Sequence, residues 1–305
     1  MQLPGFAVRM EKVRVTDHHQ GRINTADKLD LVWQSWTPVL PRGVIVIIHG
    51  LAEHSGRYKE TAEFLSANGW AVYACDLRAH GLSPDPPKAG RVHVNRFEDY
   101  FRDVDALTAL AREQHTELPM YLLGHSMGGL ISIRYSLEKP AGLAGTIISS
   151  PALGTHPEFK PPLLLKLMVS ILSRLAPRLL VASDLDTQAI SRDPAVVKAY
   201  IGDPLVSQKV STRWYGEILK SMKKAHQGAA TLRIPMLLMQ SGADRLVDPL
   251  APGRWASATP DGLVDLVVWD GLYHEMLNEP EKDQVRSRLL EWLDGRLPGE
   301  AESTA

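Results

Sequence analysis

A serine stands between glycines in Gly124-His125-Ser126-Met127-Gly128, with Gly129 following and the apolar run Met120-Tyr121-Leu122-Leu123 before it. The stretch Leu130 to Leu137 comes next and is compatible with a helix. Strand, sharp turn and helix in that order lift a hydroxyl above a sheet edge, because flanking glycines let the backbone turn tightly. The pentapeptide alone decides little. With Gly and Ser each near 7% of residues, it arises by chance in roughly one chain in ten of this length. Its setting and its partners carry the weight. A serine hydroxyl is a poor nucleophile at neutral pH; it needs a base, and the base needs a third group that fixes its tautomer.

Two later apolar runs supply candidates. Ile234 to Met239 leads into Gln240-Ser241-Gly242-Ala243-Asp244, and Leu263 to Trp269 leads into Asp270-Gly271-Leu272-Tyr273-His274. Reactive groups in an open parallel sheet gather at the carboxyl ends of strands. Ser126 is therefore the expected nucleophile, His274 its base and Asp244 the orienting acid. Aspartate is also a favoured turn residue, and Asp248, before Pro249, suits a turn or N-cap better. Asp270 lies too close in sequence to His274 to come from a separate strand end. With 11 histidines in the chain, position rather than residue type selects His274. The oxyanion of an acyl-transfer intermediate needs donors, expected from the backbone N–H groups of Met127 and Leu51.

The elements that would position these residues can be read in outline. Gly43 to Ile48 is β-branched and almost continuously apolar, as in a strand buried on both faces. Trp70 to Leu77 and Gly145 to Ser149 read likewise. Helix candidates lie between strands at Tyr58 to Ala67, Arg96 to His115, Met127 to Leu137 and Glu279 to Leu293, with Asn68-Gly69 as a stop. Val13 to Trp36 reads as two antiparallel strands. The alternation implies an α/β fold, a mostly parallel central sheet with helices on both faces. It breaks between about Thr155 and Ala230, where helical segments follow without a convincing strand. The expected organisation is a core over residues 1–154 and 231–305, interrupted by an inserted helical cap over 155–230.

At this point the residues resemble a family. His49-Gly50-Leu51-Ala52-Glu53-His54-Ser55-Gly56-Arg57-Tyr58 and Asp76-Leu77-Arg78-Ala79-His80-Gly81-Leu82-Ser83 look like signatures of monoacylglycerol lipases and lysophospholipase-like serine hydrolases. The Ser126 motif, Ser241 to Asp248 and Tyr273-His274-Glu275 follow in the family's order. The resemblance covers about residues 10 to 295. It implies an α/β-hydrolase fold and hydrolysis of an ester of glycerol and one fatty acid. It places Glu53, Arg57 and His125 near the polar end of the pocket, and Tyr200, before the cap motif Asp203-Pro204-Leu205, against the glycerol. Glu53 and Arg57 are also four apart and suit an ion pair that pins their loop. Ala52 and Ala79 stand where many members carry glycine.

The remaining composition sets bounds. The chain has 305 residues and net charge −1, so no global field attracts nucleic acid. The single cysteine, Cys75, suits a packed core thiol. No metal or organic cofactor is expected. Met1 to Met10 show no sustained apolar stretch and nothing is long enough to span a bilayer, so a cytoplasmic protein is expected. Residues 161–175 are apolar except for a stripe of Lys166, Ser170, Ser173 and Arg174. Such a helix is either buried or lines an acyl tunnel or rests on lipid. The cap stretch has eleven Lys/Arg against six Asp/Glu, compatible with peripheral contact to an anionic membrane. The alternatives are a lysophospholipase or short-chain carboxylesterase and, in another class, a non-catalytic ligand-binding protein on the same fold. A peptidase is disfavoured, since no acidic cluster awaits a peptide amine. Aspartate at the elbow would have meant an epoxide or haloalkane hydrolase.

Overall fold

The computed structural model describes residues 15–84, 92–158, 168, 171–183 and 185–297. Most of the apolar segment 161–175 lies outside them, as does the N-terminal stretch 1–14; residues 171–175 are helical.

Eight strands form one sheet: β1 (Val15–Asn24), β2 (Asp30–Pro38), β3 (Gly43–Ile48), β4 (Trp70–Cys75), β5 (Met120–His125), β6 (Gly145–Ser149), β9 (Met236–Ser241) and β10 (Val264–Trp269). Their order is β1-β2-β4-β3-β5-β6-β9-β10. The β1–β2 and β2–β4 pairs are antiparallel and the rest parallel, as the alternation implied. In β3, Val44, Val46 and Ile48 join one apolar cluster and Ile45 and Ile47 the other, the two-residue period of a strand covered on both faces. Helices α1 (Lys59–Ala67) and α7 (Lys282–Asp294) cover the second face through Leu65, Leu289 and Trp292. Helices α2 (Asp99–Gln114) and α3 (Met127–Glu138) cover the first through Val104, Leu107, Leu130 and Ile131. Helix α1 stops where expected, with Gly69 at φ 86°. Cys75 is a buried thiol.

Between β6 and β9 the chain builds more than helices. Strands β7 (Leu180–Ala182) and β8 (Lys209–Ser211) pair antiparallel, which the sequence reading did not anticipate. Each has three residues, too few to display a period. Helix α4 (Pro194–Gly202) starts at Asp193, whose carboxylate accepts from Ala195 N–H, with Pro194 in the first turn. Helix α5 (Thr212–Gly228) follows, capped by Ser211, and buries Trp214 and Ile218 in the first cluster. A short α6 (Ala251–Ala256) follows β9.

Candidate active site

Ser126 follows the last residue of β5 and has φ 52° and ψ −117°, a strained conformation held from several sides. Its N–H donates to Ser149 O at 3.0 Å, and its carbonyl accepts from Ala152 N–H at 3.0 Å. The glycines around it are required by crowding. A Cβ on Gly124 would lie 2.4 Å from Ser132 Oγ, and one on Gly128 would lie 2.0 Å from Ile48 O. Ser126 also faces the N-terminal end of α3, where unpaired N–H groups favour negative charge.

The strand ends bring the acid and base together. Asp244, three residues beyond β9, accepts from His274 Nδ1 at 2.7 Å through Oδ2. Its Oδ1 takes the N–H groups of Leu246 and Val247 at 2.9 and 3.1 Å. Gln240 Nε2 approaches Oδ2 at 3.4 Å. Burial would raise the Asp244 pKa, but the imidazole and these N–H groups hold it below the ordinary value. Burial would likewise depress His274; the Asp244 carboxylate, with Glu275 and Glu53, carries it above the ordinary histidine value instead. Asp270 is exposed and takes no part. Asp248 holds a turn, accepting from Leu250 N–H and pairing with Arg254.

Ser126 and His274 line one cavity of about 440 Å³, together with Leu51, Met127, Glu53 and Tyr200. Among the described residues, no hydrogen bond joins the serine hydroxyl to the imidazole. Such contacts are often long in an empty site and tighten in the substrate complex.

The loop that carries Leu51 is held at both backbone groups of Gly50. Leu77 N–H donates to His49 Nε2 at 2.9 Å, so the proton of this buried imidazole sits on Nδ1. It donates to Gly50 O at 2.8 Å. Gly50 N–H donates to Glu53 Oε1 at 2.5 Å. The Leu51 N–H points in the opposite direction to Gly50 O across the planar trans peptide. It has no hydrogen-bond partner among the described residues.

Glu53 does more than hold Gly50. It accepts from Tyr58 OH at 2.7 Å and from Arg57 at 2.8 Å. Arg57 also grips both oxygens of Glu275 at 2.6 and 2.7 Å and stacks 4.7 Å from the Tyr200 ring. Burial would raise Glu53, yet Arg57 and the nearby imidazoles bring it down to about 2. Of the four residues expected at the polar end, Glu53, His125 and Tyr200 line the cavity; Arg57 stands behind them as an ion-pair hub. His125 packs 4.8 Å from the His274 ring, and burial with that neighbour depresses it to about 4. It is neutral at pH 7. The carboxylates of Glu53 and Glu275 meet here, although the sequence showed no acidic cluster; Arg57 neutralises much of their charge. His49, Gln240 and Glu275 were not singled out from sequence. For Glu275, adjacency to His274 is the available signal, and for His49 its place two residues before Leu51.

A strained serine turn and a buried acid–base pair on later strand ends make this a serine hydrolase of the α/β-hydrolase fold. The chain belongs to the family described as serine aminopeptidase, S33, which it matches over residues 40–281. It is 38% identical over 272 residues to a monoacylglycerol lipase of Mycolicibacterium smegmatis, covering 88% of this chain and 94% of that one. It is 38% identical over 253 residues to phospholipase YtpA of Bacillus subtilis, covering 82% and 95%. The solved structure of Paleococcus ferrophilus monoacylglycerol lipase matches with a TM-score of 0.78 at 32% identity, over 87% of this chain and 99% of that one.

Proposed function

We propose that the chain hydrolyses monoacylglycerols to a fatty acid and glycerol through an acyl-enzyme. The observation that carries the reading is the cavity at Ser126. Leu51, Ile190, Ile218, Met222 and Val247 line it beside the polar group of Glu53, His125 and Tyr200. An ester with one apolar and one hydroxylated part fits such a lining, and relatives named monoacylglycerol lipases support it. Ser126 Oγ attacks the ester carbonyl while His274 Nε2 takes its proton. Leu51 and Met127 N–H groups stabilise the oxyanion. His274 returns the proton to the departing glycerol oxygen, then activates water to cleave the acyl-enzyme. Asp244 fixes the tautomer and stabilises the imidazolium. A peptide substrate fits less well, because Arg57 already occupies the carboxylates that would hold its ammonium group.

A second reading, lysophospholipid hydrolysis, is favoured by the relative named a phospholipase. Rates on monoacylglycerols, diacylglycerols, lysophospholipids and soluble esters separate the two. Monoacylglycerols are expected to give the highest kcat/KM, and Ser126→Ala to abolish turnover and fluorophosphonate labelling. Preference for lysophospholipids would replace the first reading with the second; turnover surviving Ser126→Ala would remove both.

We also infer that residues 155–230 act as a cap that rests on lipid. No described helix is long and apolar enough to cross a membrane. Met168, Ile171, Leu175 and Leu179 are nevertheless exposed within a stretch with a basic surplus. Pelleting with anionic but not neutral vesicles is the expected result, and no dependence on lipid charge would sink this inference.

A further inference from the structure

The end of α4 and the segment after it meet the loop of Leu51 and the turn that follows it at three points. His54 Nε2 donates to Asp203 Oδ2 at 2.8 Å. Ser207 N–H donates to Ala52 O at 3.1 Å. Tyr200, in the last turn of α4, stacks on Arg57. The cap motif Asp203-Pro204-Leu205 thus faces the loop that carries Leu51.

The hydrogen-bond logic of this contact is directional. His54 Nδ1 accepts from Gly56 N–H at 3.2 Å, so Nε2 carries the proton that faces Asp203. The other oxygen of Asp203 accepts from Leu205 N–H at 2.8 Å. Burial would raise the Asp203 carboxyl, but His54 and Leu205 N–H hold it below the ordinary range. Both side chains are largely shielded, 12% and 23% exposed, so water competes poorly for the bond. Meanwhile Ala52, adjacent to Leu51, is buried at φ 64°. Left-handed backbone is unfavourable for an L-residue other than glycine. The loop therefore does not favour this shape unaided; its contacts impose it.

We propose that Asp203 and His54 are positioning residues for ester hydrolysis, through which the docked cap holds the Leu51 N–H where the oxyanion forms. The proposal rests on the reading of Leu51 as a donor. With the segment docked, Ser207 fixes the Ala52 carbonyl and His54 fixes the far end of the turn. With it withdrawn, Ala52 relaxes out of the left-handed region and turns the neighbouring peptide. The oxyanion site is complete only under the closed cap.

Asp203→Asn tests this in the full chain. The amide can present N–H to His54 Nε2–H, and moving the imidazole proton to Nδ1 would set it against Gly56 N–H. Keeping an acceptor toward His54 instead turns N–H toward Leu205 N–H, so one contact is lost in every arrangement. The readouts are kcat and KM on a monoacylglycerol and on a chromogenic ester without glycerol, Ki for a trifluoromethyl ketone that binds as a hemiketal oxyanion, and Tm. We expect kcat to fall about tenfold on both esters, less than the 10²–10³ of a lost donor. KM should stay within about twofold while Ki rises with the loss in rate. His54→Ala should behave alike, and the double variant no worse than either single one. Asp203→Glu, which keeps the acceptor, should recover much of the rate. Unchanged kcat, a loss confined to the glycerol ester, or a fall in kcat and Tm with Ki unmoved would each overturn the proposal. Turnover that survives Ser126→Ala would instead remove the serine mechanism beneath it.

Discussion

Gly128→Ala perturbs the elbow where it crosses the end of β3. The new Cβ would sit 2.0 Å from Ile48 O and 2.4 Å from His49 O. A carbon–oxygen contact settles at ~3.3 Å, so the two backbones must part by about 1 Å. Neither side yields easily, since both obstructing atoms are main-chain carbonyls at the end of a central strand. The displaced piece is His49-Gly50-Leu51, moved relative to Ser126. A misplacement of about 1 Å costs on the order of 10² in rate, and overpacking a tight site costs about 1–3 kcal/mol. The expected result is a kcat on a chromogenic ester lowered about a hundredfold, slower fluorophosphonate labelling and an earlier urea midpoint. Gly253→Ala is the control. Its Cβ meets only Leu266 Cδ2, at 3.9 Å, and in α6 the change should be neutral or stabilise by up to about 1 kcal/mol. A Gly128→Ala enzyme with kcat within threefold of the parent would refute the crossing geometry.

The pH profile follows from His274, which must be neutral to act as base. Its pKa is raised in the folded protein, so the acid limb of kcat/KM should lie above the ordinary 6.5, and activity should fall as pH drops through that raised value. The same group stabilises the fold most below 6.5, and this contribution is lost as pH rises through the folded pKa. Asp244→Asn removes the chief raising interaction; the acid limb should move to lower pH while the plateau falls by about 10⁴. An unmoved limb would mean that another group titrates there. Arg57→Ala leaves Glu53 and Glu275 buried and facing each other without their shared cation. Breaking a buried pair this way costs about 3–5 kcal/mol, and chemical unfolding should show it. A loss under about 1 kcal/mol would mean that solvent replaces the guanidinium.

Why some of this was legible in sequence and some not has a physical answer at the strand ends. The apolar run Met120 to Leu123 reveals β5, but the strand continues through Gly124 and His125. The run Ile234 to Met239 reveals β9, yet the strand starts at Met236 and ends at Ser241. At its start, Pro235 has no N–H to give to the ladder. At its end, Gln240 and Ser241 are buried and polar because they serve the site: Gln240 reaches Asp244, and Ser241 Oγ donates to Tyr273 O at 2.6 Å. Hydrophobic periodicity therefore stops just where a strand begins to hold chemistry. Arg57 and Glu275 are 218 positions apart, and their pairing leaves no trace in spacing. The alanine-for-glycine departures at Ala52 and Ala79 acquire a meaning only with coordinates, for both adopt positive φ, 64° and 62°. Glycine takes that conformation freely and alanine does not, so contacts must hold these turns. At Ala52 one such contact comes from Ser207 N–H, which ties the loop that would stabilise the oxyanion to the segment after α4.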